Sequence, residues 1–162
     1  LLTYDVLVDI AGPARPELAD KQTVSATGLA WSVRTLAEVL GEGHEARKHN
    51  DLAPGEIIAK IHLPPPTAGD RTAYFRAISR AQAEWPLIEA SVRLASAGAR
   101  IAVGAVAGIP LRLPQVEAAL DAGEPVEKAI ARAGEGAMPL RGNGYKLTLL
   151  PAVLRTALEM AS

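Results

Sequence analysis

Apolar and polar positions change period along this chain. Residues 4–12 (YDVLVDIAG) alternate and are rich in β-branched side chains, which predicts a short strand ended by Pro13 and Pro16. Residues 28–40 (GLAWSVRTLAEVL) put Leu29, Val33, Leu36, Ala37 and Leu40 at helical spacing, with Gly41 and Gly43 as a stop, and predict a helix. The polar run 41–51 (GEGHEARKHND) reads as an exposed connection. A Pro54-Gly55 turn leads into a predicted strand over Ile57, Ile58, Ile61 and Leu63. Pro64, Pro65 and Pro66 close it, a stiff stretch that cannot enter a sheet interior. Residues 64–70 are read as a second exposed connection and as the main boundary.

The pattern is clearer beyond that boundary. Residues 72–80 (TAYFRAISR) read as a strand. Residues 87–96 alternate, with Ile88, Ala90, Val92 and Leu94 on one face and Glu89, Ser91 and Arg93 on the other, the mark of a half-buried antiparallel strand. The same residues partly fit a helical stripe, and that alternative stays open. After a small-residue turn, 100–113 (RIAVGAVAGIPLRL) reads as a third strand, in which Gly104 and Gly108 permit a bulge or a close backbone approach. Three helices follow, over 114–123, 124–136 and 145–161. The first has proline at its start and glycine at its end. Pro151 kinks the third or splits off its first turn.

Strands first and helices after predict an α+β fold. Its centre is a three-stranded antiparallel sheet packed on about three helices, with a short N-terminal appendage. Residues 1–50 form the appendage, 51–70 a strand and proline-rich linker, and 71–162 the α+β domain. The chain of 162 residues starts at Leu1 rather than Met and so reads as a fragment or a processed product.

Composition narrows the function classes. Seventeen basic against 18 acidic residues leave no global field for a nucleic-acid backbone. Residues 1–70 hold 6 basic and 10 acidic side chains, and residues 71–162 hold 11 and 8. Aromatics make up 4%, too few for a row of stacking platforms. Having no cysteine excludes disulfides, thiolate metal sites and a cysteine nucleophile. No apolar run approaches the roughly 20 residues of a membrane helix, and the chain reads as soluble.

Little local chemistry stands out. His44 and His49 lie in a charged connection with no further ligands, His62 lies near a strand end, and Ser79 has no histidine nearby in sequence. Two features remain. Arg71, Arg76 and Arg80 cluster with no acid among them. Arg76 and Arg80 are four apart, so strand and helix both put them on one side, and paired guanidinium groups suit a phosphate or an electron-rich ring edge. The plain alternative is a solvated edge with Asp70 and Glu84 as partners. The other feature is PLRGNGYK (139–146), whose turn brings Asn143 and Lys146 near a helix start. There Asn143 is expected to cap orphan amides.

From Leu52 the order LAPGEIIAKIHLPPP, YFRAISRAQAEWPLIEASVRL, RIAVGAVAGIPLRL, EAALDAG and MPLRGNGYKLTLLPAVLRTAL resembles the C-terminal half of a known subunit type. It is the FAD-binding medium subunit of the molybdenum hydroxylases, the family of xanthine dehydrogenase, carbon monoxide dehydrogenase and bacterial aldehyde oxidoreductases. The aldehyde oxidoreductase type looks most similar, through a G(A/G)VA–P segment followed by an NGYK-like motif. The resemblance implies a sheet on three helices and an FAD that relays electrons from iron–sulfur clusters to an external acceptor. It implies two partners, a molybdopterin-binding large subunit that holds the substrate pocket and an iron–sulfur small subunit, and no nucleic acid or membrane. It implies a cytoplasmic enzyme, or a periplasmic one by co-export with the partners. Arg76 and Arg80 are implied beside the isoalloxazine ring.

The sequence departs from that family in one respect. The two glycine-rich loops whose amides hold the flavin diphosphate are not among its residues. VLVDIAG and SATGLAWSVRTLAEVL resemble a stretch of the family's N-terminal lobe, so 1–50 reads as a remnant of it. The chain alone is expected neither to be catalytic nor to hold FAD tightly. Three readings follow: part of a flavoprotein subunit, a non-catalytic interaction domain of the same fold that has lost flavin binding, and an unrelated α+β protein.

Overall fold

The alternation near the N-terminus forms a strand, and three more strands join it. The computed structural model describes residues 1–43, 47–79 and 85–162. These divide into two compact units, Leu1–Pro65 and Pro66–Ser162.

The first unit is built on a four-stranded antiparallel sheet: β1 (Leu7–Gly12), β2 (Gln22–Val24), β3 (Ala30–Thr35) and β4 (Ile57–His62), in the order β2-β3-β1-β4. It corrects the expectation of an N-terminal appendage. It also corrects the predicted helix over 28–40, since only Leu36–Leu40 is helical (α1). The first half of that stretch alternates as a strand, with Ala30 and Ser32 buried and Trp31 and Val33 exposed. Pairing with β1 along its whole length satisfies the backbone of β3, so tertiary pairing overrides the helical spacing. Thr35 marks the switch through a capping box. Its Oγ1 accepts from the Glu38 amide at 3.1 Å, and the Glu38 carboxylate accepts from the Thr35 amide at 2.7 Å.

The core of this unit is small: Val8, Ile10 and Val39, with Leu52 packed against them. Beside it lies a buried ion-pair group. The Glu56 side chain is 1% exposed and accepts from Arg34 Nη2 at 2.5 Å, Arg15 Nη1 at 3.5 Å and the Ala53 amide at 2.9 Å. Gly12 makes room for it, because a Cβ there would stand 2.9 Å from both Cα and Cγ of Glu56.

The second unit holds β5 (Arg71–Ala77), β6 (Ile88–Ala95), β7 (Gly98–Gly104) and β8 (Leu111–Arg112), in sequential antiparallel order. Residues 87–96 are thus a strand, and the open helical alternative falls away. The sheet has four strands where three were expected. The predicted third strand over 100–113 stops at Gly104, turns, and returns as β8, whose Leu111 and Arg112 pair with Val103 and Ala102. The reversal begins at Ala105, which takes a left-handed φ of 61°.

One face of this sheet buries Ile88, Ala90 and Val92 of β6 and Ile101 and Val103 of β7. Against it pack α2 (Pro114–Asp121) through Val116 and Ala119 and α4 (Tyr145–Met160) through Val153, Leu154 and Ala157, and α3 (Val126–Ile130) joins the same core through Ile130 by packing on these two helices. The helix predicted over 124–136 is α3 followed by a 3-10 turn, Ala131–Gly134. Pro151 lies inside one continuous α4. Glu117 of α2 is buried and anchors the helix to the sheet. It accepts from the Ile101 amide at 2.8 Å and from Arg112 Nε and Nη2, each at 2.7 Å.

Candidate functional site

At one end of the second sheet a single cross-strand row runs Arg76 (β5), Glu89 (β6) and Gly104 (β7). The alternation that buries Ala90 and Ile88 against the helices sends Glu89 to the opposite face, and the register brings Arg76 beside it. Arg76 is half-buried. Tyr74, two residues earlier on the same face, donates from its hydroxyl to Glu89 Oε2 at 2.5 Å. Partial burial, the hydrogen bond to Glu89 and the charge of that carboxylate push the Tyr74 phenol above its ordinary value, while Arg76 pulls the other way. Tyr74 is therefore a firmly protonated donor.

Gly104 is what lets Glu89 lie down in this row. A Cβ on residue 104 would stand 2.4 Å from Glu89 Oε1 and 2.7 Å from its Cγ. The next residue, Ala105, offers its carbonyl to Lys146 Nζ at 2.5 Å across 41 residues of sequence. Lys146 belongs to the first turn of α4, so the NGYK segment and the GAVAGIP segment meet here. On the face away from the helices the end of the sheet thus carries one cation, Arg76, one carboxylate, Glu89, and a phenol donor, Tyr74, while Lys146 meets the following carbonyl from the helix layer. Such a set can hydrogen-bond and charge-balance the polar edge of an electron-rich ring.

Several sequence expectations change here. Arg80 and Glu84 lie outside the described residues, as does His44. Asp70 does not serve Arg71 or Arg76 as proposed. It accepts from Arg93 Nη2 at 2.7 Å and Nε at 2.8 Å. Arg71 has the opposite strand parity to Arg76 and sits across from Leu94, so the two do not share a face. Asn143 gives no side-chain cap to α4. The cap position is Gly144, and the Asn143 carbonyl accepts from the Lys146 amide. His62 pairs with Asp9 at 2.6 Å. Among the described residues no group of three or more His, Asp or Glu side chains could hold a metal, and no helix is long and apolar enough to cross a membrane. The sequence does not mark Glu89 or Tyr74 as site residues, and it marks Gly104 only as a place for a bulge or a close backbone approach. The alternation around Glu89 was visible, but its partners depend on register.

No protein-family model and no curated protein sequence matches the chain. Solved structures do. Quinoline 2-oxidoreductase from Pseudomonas putida 86 matches at 20% identity and a TM-score of 0.67, over 99% of this chain and 53% of that one. Carbon monoxide dehydrogenase from Hydrogenophaga pseudoflava, in a form lacking the Mo-pyranopterin moiety of its cofactor, matches at 22% and 0.68, over 99% and 53%. Reconstituted CO dehydrogenase from Oligotropha carboxidovorans matches at 22% and 0.71, over 99% and 54%. The chain shares their fold. It spans about half the length of these oxidoreductase chains.

Proposed function

We propose that this chain is part of the FAD-binding subunit of a molybdenum-dependent hydroxylase or dehydrogenase. The observation that carries the reading is the row Arg76–Glu89–Gly104, on a fold shared along its whole length with CO dehydrogenase and quinoline 2-oxidoreductase chains. When bound, FAD would relay electrons from iron–sulfur clusters to an acceptor. This chain's own residues would orient the ring edge. Arg76, with Arg80, would face its polar rim, Tyr74 would donate a hydrogen bond, and Glu89 would hold both donors in place. A cation near the ring favours an anionic reduced flavin by on the order of 1 kcal/mol when partly exposed. The partners on this reading are a molybdopterin-binding large subunit and an iron–sulfur small subunit.

The residues fit the ring edge better than the whole cofactor, because the glycine loops expected at the diphosphate are not in this sequence. Flavin retention is therefore expected only when the remaining half of the fold is supplied. The test is visible flavin absorption after gel filtration of the chain with FAD, alone and with that half. Retention in the combined sample that falls on replacing Arg76 and Arg80 with alanine supports the reading. Retention by the chain alone, or no response to either arginine, overturns it. A combined sample that binds no flavin, although the diphosphate loops are then supplied, favours the second reading, a non-catalytic interaction domain of the same fold.

A further inference from the structure

The two units differ in how they treat their large apolar side chains. Among the described residues, the second buries twelve large aliphatic side chains and exposes eight large apolar ones. The first buries four, Val6, Val8, Ile10 and Val39, and exposes ten. Scattered exposed apolar residues are ordinary, but an excess over the core is not.

The excess has a location. On the face of the first sheet that carries the core, Val8 and Ile10 of β1 lie directly beside Ile61 and Ile58 of β4. Val8 is fully buried and Ile10 is 2% exposed, yet Ile61 is 45% and Ile58 40% exposed. The layer that covers β1 stops before β4, although the apolar face continues. β4 is also the last strand of its sheet, and all six of its residues are exposed. Edge strands are protected by outward lysines, by bulges or by a covering layer. β4 has one register shift, opposite Asp9 and Ile10, but no covering layer among the described residues, and Lys60 and His62 both lean to Asp9 of β1, Lys60 at 3.7 Å, rather than past the edge.

We propose that β4 is an acceptor edge. An extended apolar strand, supplied by the portion of the fold that this chain does not span, pairs with it and covers Ile58 and Ile61. The length argument names the occupant: the matching solved chains are nearly twice as long as the stretch matched here. Strand addition satisfies the free backbone groups of β4 and extends the covered face by one strand. The inference rests on the reading that the chain is part of a longer flavin-carrying fold.

The test co-expresses this chain with a separate polypeptide comprising the part of the Oligotropha carboxidovorans CO dehydrogenase chain that lies outside the match. A complex is expected, in which the amides of 57–62 exchange more slowly than in the chain alone by about tenfold or more. Replacing Ile58 and Ile61 with lysine is expected to abolish it while exchange across the β1–β3 pair of the same unit stays unchanged, which shows that the first unit of the variant folds. A complex in which 57–62 exchange as fast as in the free chain overturns the acceptor edge and leaves the subunit reading standing. Absence of a complex overturns it too, as does slowing of 57–62 in the chain alone with rising concentration, the mark of self-pairing. Flavin absorption of the complex reports on the subunit reading separately.

Discussion

Glu56→Gln removes one charge from a group that the first unit can hardly do without. The Glu56 carboxylate is almost fully buried, while the side chains of Arg34 and Arg15 are 12% and 26% exposed. Breaking a buried ion pair by deleting one partner costs about 3–5 kcal/mol, because the other charge is left uncompensated. Here two features reduce that. Both arginines reach solvent, and glutamine can still accept from the Ala53 amide. The expected loss is therefore about 2–3 kcal/mol, which is a shift of roughly 30- to 150-fold in the unfolding equilibrium. The assay is urea unfolding followed by Trp31 emission in a Trp85→Phe background, since Trp85 is 92% exposed and contributes little packing. The pH dependence adds a second check. Burial pushes the Glu56 carboxyl up, but the Ala53 amide and the two guanidinium groups more than offset it, so the group sits below its ordinary value. A depressed folded value stabilises fully above the unfolded value, about 4.3, and the stabilisation is lost as pH falls through the folded value. The difference between wild type and variant should therefore be constant near neutrality and shrink in acid. A Glu56→Gln protein within about 0.5 kcal/mol of wild type at pH 7, or a difference that grows in acid, refutes the reasoning.

Gly104→Ala places a methyl group against Glu89, so it should cost about 1–3 kcal/mol by overpacking and break the Tyr74 bond. The phenol should then titrate closer to its ordinary value in the ultraviolet spectrum, and an unmoved titration counts against the row. Glu117→Ala strands the Ile101 amide and the Arg112 guanidinium, and thermal unfolding should register a loss of about 3 kcal/mol or more. Thr35→Ala removes the capping box of α1 and should cost about 1 kcal/mol, read as faster hydrogen exchange in residues 36–40.

Most of the second unit was legible because its signals are local. Alternation over 87–96 names the buried face of β6 without knowledge of any partner, and proline and glycine mark the bounds of α2. The first unit was not legible in the same way. Residues 28–40 carry apolar spacing that suits a helix, and only pairing of Ala30–Thr35 with β1 makes a strand of their first half. Likewise nothing local told 100–113 to fold back at Ala105 and add a fourth strand. For the site, the sequence pointed to Arg76 and to Lys146 as separate features.

By itself, then, the sequence determined the α+β class, the strand alternation of 87–96, the helical periods after Leu113, and the lack of thiol chemistry. Those depend on side-chain type and short-range spacing, which act before any long-range contact forms. The tertiary structure alone decided that residues 1–65 carry their own sheet, that Glu89 lies between Arg76 and Gly104, and that Lys146 reaches Ala105. Each of these is a contact between residues distant in the chain. Its partner is chosen by strand register and by which apolar faces find cover, and no window of neighbouring residues contains that information.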